Sequence, residues 1–564
     1  MTQSLDGSEL LTGSGAGDLL QAAVTNAGGV LDSWVLDQVD HRPGRSTKAL
    51  YRTRVRWPSL DGPDCDARDE LFGVAAHIGE QEKRVLNPEQ SLVMTDGDMN
   101  VRVWRYPHDP WLPTLQHVCY PDVLQRTLTE LGVDTGYPAG TSVPVEVVSY
   151  RPGRRAVLKA TLANRVVFVK VMQPHTSDEV VNQHADLLRA GVPVPQVLAH
   201  KRGLVVLAEL PGVVLAQAVV EHGTAACSAE ELIEVLDRFP AHLLQAQHRP
   251  AWTESVGFYA GVVASSLPEL QPRLDVLVHR IHRGLEQVRS RIGQEPTDVV
   301  HGDFYEAQVF VDQGRVVGVL DIDTVGPGRR ADDLACMFAH LSVLADYANL
   351  QKIPLDVHER VAGVIRTWYP VFSRRVDPQE LALRAAGVVL SLATGPHRQQ
   401  EPNWEASTEA MVRVAETWVQ VSEQGRRYTG VMPGGLVVHD SGTAAEPVQS
   451  APGEAQVDLD AEAAALIALD QDATPSSAAA FTQDPTVPHA PAPPPSSREI
   501  EIASTANRAD EGEHHHAWNH PYSSPPTPVR APWNRRRAPQ PSQLPHPMPS
   551  VLRRARSSHQ ERQQ

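Results

Sequence analysis

DVVHGDFYEAQVFVDQGRVVGVLDIDTVGPGRRADDLA, residues 298–335, is the stretch whose reading decides the fold. Two apolar runs, AQVFV and VVGVLDI, flank Asp312-Gln313-Gly314, and apolar runs around a turn of that composition read as a hairpin. The hairpin leaves Asp303 and Asp321, eighteen residues apart, on the loops beside it. Asp333 follows in DDLA, where a helical pattern begins.

Upstream, VEVVSY (145–150), RAVLKATL (155–162) and RVVFVKVM (165–172) read as an antiparallel meander joined by Arg151-Pro152-Gly153-Arg154 and Ala163-Asn164. A helix is expected from about Ser177 to Ala190, with Thr176 and Glu179 at capping-box spacing and Gly191 as its stop. Pro193 and Pro195 enforce an extended segment, and GLVVLAEL (203–210) reads as a further strand ending at Pro211-Gly212. Downstream the pattern turns helical, opening on a second capping box at Ser228 and Glu231 and returning at 274–292, 333–350, 380–393 and 409–424. The fold class is therefore α+β: a small antiparallel-sheet lobe followed by a helical lobe.

Around this core the chain divides into a flexible N-terminus (1–28), an α/β accessory region (29–140), the sheet lobe (141–212), the helical lobe (213–428) and a Pro/Ala/Ser-rich tail (429–564). The accessory region shows alternating runs at 49–57 and 91–106, the second split by Asp96-Gly97-Asp98, and a helix opened by Pro121 and closed at Gly132. The tail has too little periodic apolar content to offset chain entropy and is expected to be disordered, with Val457–Leu469 as a helix formed against a protein partner. A net charge of −17 over 564 residues disfavours nucleic acid as a partner. Cys65, Cys119, Cys227 and Cys336 form no CxxC pair, which points to reduced thiols rather than a zinc site or a disulfide framework. With no signal-peptide pattern and no long apolar run, neither secretion nor membrane insertion is expected, and a cytoplasmic location is.

Carboxylates gathered beside one hairpin suit phosphoryl transfer, which needs one carboxylate to deprotonate an acceptor hydroxyl and other oxygens to hold Mg²⁺ against nucleotide phosphates. The residues His301-Gly302-Asp303, LDID and DDLA resemble the catalytic segment of aminoglycoside phosphotransferases and related small-molecule kinases, a likeness running over roughly 145–424. The resemblance implies a bilobal protein-kinase-like fold, ATP or GTP with Mg²⁺ as cofactors, and a small-molecule hydroxyl acceptor, aminoglycoside-like or a sugar-type metabolite. It implies Asp303 as catalytic base, His301 as brace of its loop, Asp321 as principal metal ligand with Asp323 and Gln308 beside it, and Asp333 as buttress. It places Lys170, in VFVKVM, as the grip on the nucleotide phosphates, Arg154 in the phosphate-covering loop, and Glu209, in ELP, where the lobes join and the backbone meets adenine.

Two positions depart from the family pattern. Gln308 stands where Asn is usual, displacing the amide oxygen by roughly 1.5 Å, one carbon–carbon bond. His184 stands on the inward stripe of the 177–190 helix, where the family has the Glu that pairs with the strand lysine. A catalytically weakened, pseudokinase-like nucleotide-binding or scaffolding module is accordingly the alternative to an active phosphotransferase. The polar break at 392–407, with His397, Arg398, Glu401 and Trp404, reads either as a substrate loop or as an ordinary helix connection.

Overall fold

The computed structural model of the protein describes residues 6–424, apart from 59–66, 79–84, 97, 139, 294, 348–349 and 351, together with 431–432 and 436–437. Residues 8–26, expected to be flexible, form helices α1 (Ser8–Thr12) and α2 (Gly15–Asn26). Leu11, Ala16, Leu20 and Val24 recur at helical spacing and are buried against Tyr51, Phe72 and Val74 of the first sheet. In so Gly- and Ala-rich a segment this stripe is legible only once its partner sheet is known. That sheet contains β1 (Val30–Arg42), β2 (Ser46–Arg56), β3 (Ala67–Ile78), β4 (Ser91–Asp96) and β5 (Met99–Arg105), in the spatial order β1-β2-β3-β5-β4.

Helix α3 (Pro121–Glu130) turns away from the first sheet and packs Leu124 and Leu128 onto the second. The second sheet has the order β6-β7-β8-β10-β9, from β6 (Val145–Arg151), β7 (Arg155–Thr161), β8 (Val166–Met172), β9 (Val197–Lys201) and β10 (Leu204–Ala208). Its outer face, Ala156, Leu158, Ala160, Val167, Val169 and Val171, shares one core with Leu112, Leu115 and Val143. The sequence boundary at 140 thus cuts through a continuous apolar core. Because successive strand residues alternate faces, the stripe of Val167, Val169 and Val171 obliges Phe168 and Lys170 to face inward, toward α4 (Ser177–Arg189). The capping box expected at the start of α4 is not formed: the Thr176 hydroxyl donates to the carbonyl of Gln173, and Glu179 is exposed.

Past Glu209, β11 (Val213–Val214) pairs with β13 (Val309–Asp312), and β13 with β14 (Arg315–Val319). The β13–β14 turn has φ of 49° at Gln313 and 78° at Gly314, the two positive values of a type I′ hairpin. A short pairing of β12 (Asp298–Val300) with β15 (Gly326–Gly328) closes off the segment that carries His301, Asp303 and Asp321. The helical lobe comprises α5 (Leu215–His222), α6 (Ala229–Asp237), α7 (Val256–Ser266), α8 (Gln271–Ile292), α9 (Arg330–Asp346), α10 (Leu355–Arg375), α11 (Pro378–Leu392), α12 (Gly395–Arg398) and α13 (Trp404–Gln424). Helix α9 is buried on nearly every side, so its apolar residues face several directions instead of one stripe, with Arg330, Asp333, His340 and Ser342 buried among them. Sequence reading missed α5, α7 and α10; α7 is apolar along most of its length with no clear face, and α10 carries Pro370 in its interior.

Together the two lobes form the bilobal α+β architecture expected of a protein-kinase-like chain. None of the described helices is long and apolar enough to cross a membrane. The tail expected from 429 lies outside the described residues, except for a two-rung pairing of Val431–Met432 with Leu436–Val437.

Candidate active site

The loop between β12 and β13 is held from both sides. Asp333, fully buried in the first turn of α9, accepts the backbone N–H groups of His301 at 2.9 Å and Gly302 at 2.8 Å. Its third partner is Arg330, at 3.3 Å. Burial raises its pKa, while Arg330 and the imidazole of His301 act the other way. The His301 ring spans the loop: Nε2 donates to the Leu320 carbonyl at 2.8 Å and Nδ1 accepts the Asp303 N–H at 3.3 Å. Gly302 has a φ of +85°, a conformation that disfavours any side chain, and a Cβ there would also meet Thr324 at 3.1 Å.

These contacts present Asp303 at the wall of a cavity of about 170 Å³ that is also lined by Tyr305, Glu306, Gln308, His340 and Arg155. Burial, and next the charge of Asp321, raise the Asp303 pKa to about 6. The thiol of Cys336 lies 3.8 Å from Asp303 Oδ1, and His340, buried and held neutral with a pKa lowered to about 3, stacks on Tyr305 with ring centroids 3.9 Å apart.

Across the lobes, Asp321 sits in the left-handed region at φ 50° and ψ 51°, an uncommon conformation for a residue other than glycine and one that is found at functional turns. Its carboxylate meets Lys170 Nζ at 2.9 Å and Arg155 Nη1 at 2.8 Å, and Lys170 also reaches Asp323 at 2.6 Å. Burial works against ionising Asp321, but Arg155 and Lys170 overcome it and hold the carboxyl well below the usual range. Burial likewise opposes the Lys170 ammonium and the two carboxylates outweigh it, so its pKa lies above the ordinary lysine value.

His184 makes no substitute for a helix Glu. Its Nδ1 bonds the Pro195 carbonyl at 2.9 Å, and burial lowers its pKa. Lys170 finds its counter-charges in Asp321 and Asp323 instead.

The predicted site residues do not all converge. Asp303 and Gln308 line the cavity, Lys170, Asp321 and Asp323 are joined to it through Arg155, and His301 and Asp333, both fully buried, hold the loop from behind. Arg154 points the other way, bridging Asp40 of β1 at 3.3 Å, and its neighbour Arg155 holds the inward position. Gly153, at φ +70°, sets that phase, and strand alternation then sends consecutive side chains to opposite faces. Glu209 is exposed in the segment that joins the two lobes and does not line the cavity at Asp303. Glu306 was missed altogether. It is 7% exposed, its Oε2 has no hydrogen-bond partner, and burial raises its pKa to about 8. The signal available for it was an acid three residues after Asp303. Thr394, Gly395, Arg398 and Glu401 of the 392–407 break also line the cavity, with Glu401 bridged to Lys352 at 2.7 Å.

The donor set suits a hard divalent cation. Asp321, Asp323 and Gln308 offer oxygen ligands, and Asp323 Oδ1 is buried without a hydrogen-bond partner, an orphaned acceptor of the kind a cation satisfies. Gln308 donates its amide N–H to the Tyr305 hydroxyl at 3.0 Å, which reserves the amide oxygen for another partner.

Residues 153–363 match the model described as the phosphotransferase enzyme family. Among solved structures, the chain resembles an aminoglycoside phosphotransferase variant in ternary complex with AMP-PNP and hygromycin B, at 16% identity over 54% of this chain and 99% of that one (TM-score 0.34). It also resembles a choline kinase from Streptococcus pneumoniae, at 12% identity over 53% and 98% (TM-score 0.34). A third is an ethanolamine kinase from Plasmodium vivax, at 8% identity over 52% and 87% (TM-score 0.35). No curated protein sequence matches the chain.

Proposed function

Residues 153–363 carry the phosphotransferase-family segment, and from that premise we propose that the protein transfers the γ-phosphoryl group of ATP or GTP to a hydroxyl of a small polar molecule. The observation that carries the reading is Asp303: a half-buried carboxylate at a cavity wall, its loop held by Asp333 and His301, with a pKa raised to about 6. A base near that value is ionised at neutral pH yet retains useful proton affinity. Asp303 takes the hydroxyl proton as the acceptor oxygen forms its bond to the γ-phosphorus. The bond from phosphorus to the β,γ-bridging oxygen breaks, and the nucleoside diphosphate leaves with that electron pair.

Lys170 and Arg155 supply fixed positive charge beside Asp321, where the nucleotide phosphates belong. Asp321, Asp323 and Gln308 would hold Mg²⁺, which when bound contributes charge neutralisation at the phosphates. The backbone after Glu209 borders the adenine or guanine position.

One contact favours the second reading, a pseudokinase-like nucleotide-binding or scaffolding module. Lys170 occupies both candidate metal carboxylates at 2.9 and 2.6 Å, and no glutamate of α4 draws it away. The test is ATP consumption by the full chain with a panel of hydroxyl acceptors, run beside Asp303→Ala, with thermal stability read with and without Mg²⁺-ATP. Acceptor-dependent consumption that Asp303→Ala abolishes, with the ATP-induced shift retained, supports the enzyme. Equal turnover in the two proteins sinks the assignment, and a shift without turnover favours the module.

A further inference from the structure

A second cavity, of about 630 Å³, opens between the β1–β2 hairpin of the accessory sheet, the β6–β7 loop, and helices α7 and α12. It is lined by Arg42, Arg45, Lys48, Arg151, Arg154 and Arg398, and Asp40 is the sole carboxylate among its described lining residues. In a chain of net charge −17 this is a local reversal of sign. The cations are close enough to act on one another. Burial, and next Arg398, Arg155 and Arg154, hold the pKa of Arg151 well below the usual arginine value. Burial would raise the pKa of Asp40, but Arg154, Arg42, Arg398 and Lys48 together lower it. Gathering so many like charges around one carboxylate costs the folded protein free energy that a bound anion returns.

This cavity adjoins the one at Asp303, for Arg151, Trp252, Tyr259, Thr394 and Arg398 line both. Trp252 Nε1 donates to the Gly302 carbonyl at 3.1 Å, which ties that wall to the catalytic loop. The rings of Trp252 and Tyr259, with centroids 6.0 Å apart and planes inclined at 43°, add an angled aromatic wall with polar edges, a surface that offers a sugar ring apolar contact.

We infer that the second cavity receives an anionic group of the acceptor, so that the substrate is a sugar-sized hydroxyl compound bearing a phosphate or a carboxylate. The hydroxyl lies at Asp303, the ring along Trp252 and Tyr259, and the anion among Arg42, Arg45 and Arg398. Guanidinium groups suit either anion, since their planar forks match phosphate and carboxylate oxygens in pairs. The inference rests on the phosphotransferase reading and deepens it. It also gives the accessory region a task, because Arg42 and Arg45 belong to its first hairpin.

The experiment measures ATP consumption by the full chain with glucose, mannose and maltose against glucose 6-phosphate, mannose 6-phosphate and glucuronate, for the parent and for Arg42→Gln and Arg45→Gln. The phosphates and the uronate serve as separate arms for the two anion types. Each substitution is expected to raise KM for anionic acceptors about tenfold, the loss of one charge-assisted contact, while kcat and KM for ATP stay unchanged. A parent that prefers the neutral sugars, or variants that weaken neutral and anionic acceptors alike, overturns the inference. Thermal stabilisation by inorganic phosphate that Arg42→Gln abolishes, with no anionic sugar consumed, overturns it too by making the site a mere anion site. Mg²⁺-ATP stabilisation is read in the same samples: its retention beside a neutral-sugar preference sinks this inference alone, and its absence sinks both readings.

Discussion

The carboxylate of Asp109 accepts the backbone N–H of Gly153 at 2.6 Å. Asp109 belongs to the segment leaving the accessory sheet, and Gly153 to the β6–β7 loop that covers the proposed phosphate site. The same carboxylate accepts the Tyr150 hydroxyl at 2.8 Å and the Trp111 N–H at 2.8 Å, and Tyr150 in turn accepts from Trp104 Nε1 at 3.0 Å. Asp109 is fully buried. The accessory region therefore holds the loop through this buried acceptor, beside the more exposed bridge from Asp40 to Arg154.

Asp109→Ala orphans those donors where water cannot replace the carboxylate. The expected loss is about 3 kcal/mol of unfolding free energy, at the upper end for a buried group left unsatisfied, read by urea denaturation. The KM for ATP should rise as well, because the loop loses its anchor. An unchanged KM would show that the loop is positioned without Asp109.

Asp303 must be ionised to act as a base. With a pKa raised to about 6 by burial and by the neighbouring Asp321 charge, kcat/KM should be flat above that pH and fall tenfold per unit below it. An acid limb centred near the ordinary aspartate value would mean that the burial does not govern the reacting state.

Lys170 and Asp321 form an ion pair at 2.9 Å with Asp323 and Arg155 attached. Removing either partner alone leaves a buried charge uncompensated. Lys170→Met and Asp321→Asn should therefore each destabilise strongly, and the double variant should cost less than their sum, with a coupling of about 1–3 kcal/mol in a denaturation cycle. Additive losses would show that Arg155 and Asp323 absorb the change.

Glu306 carries a proton up to about pH 8 in the folded protein, whereas an unfolded glutamate releases it near 4.5. Between those values the native state binds the extra proton, so this group's contribution to stability declines as pH rises. Glu306→Gln keeps the neutral shape and abolishes that dependence, and its stability relative to the parent should climb from pH 5 to pH 8. Parallel stability curves across that range would place an ionised carboxylate in the cavity.

What the sequence determined by itself is local. The spacing of His301, Asp303, Asp321 and Asp333 was legible because hairpin and helix-start signals lie within a few residues of each. That Lys170 needs a partner was legible from its place amid the apolar run VFVKVM, since an ammonium in such a strand does not stay unpaired. An apolar run says neither which face the lysine takes nor what that face will meet. Only tertiary structure brought Lys170 to Asp321 and Asp323 across 151 and 153 residues, where the family pattern suggested a helix glutamate. Only the phase set at Gly153 decided that Arg155, and not Arg154, enters the cleft. The buried Asp109, the stripe on α2 and the cations shared between β1, the β6–β7 loop and α12 were silent in the sequence for the same reason. Each is an isolated polar residue or a sparse apolar pattern that gains meaning from a distant partner, and long-range pairing is fixed by packing the whole core at once.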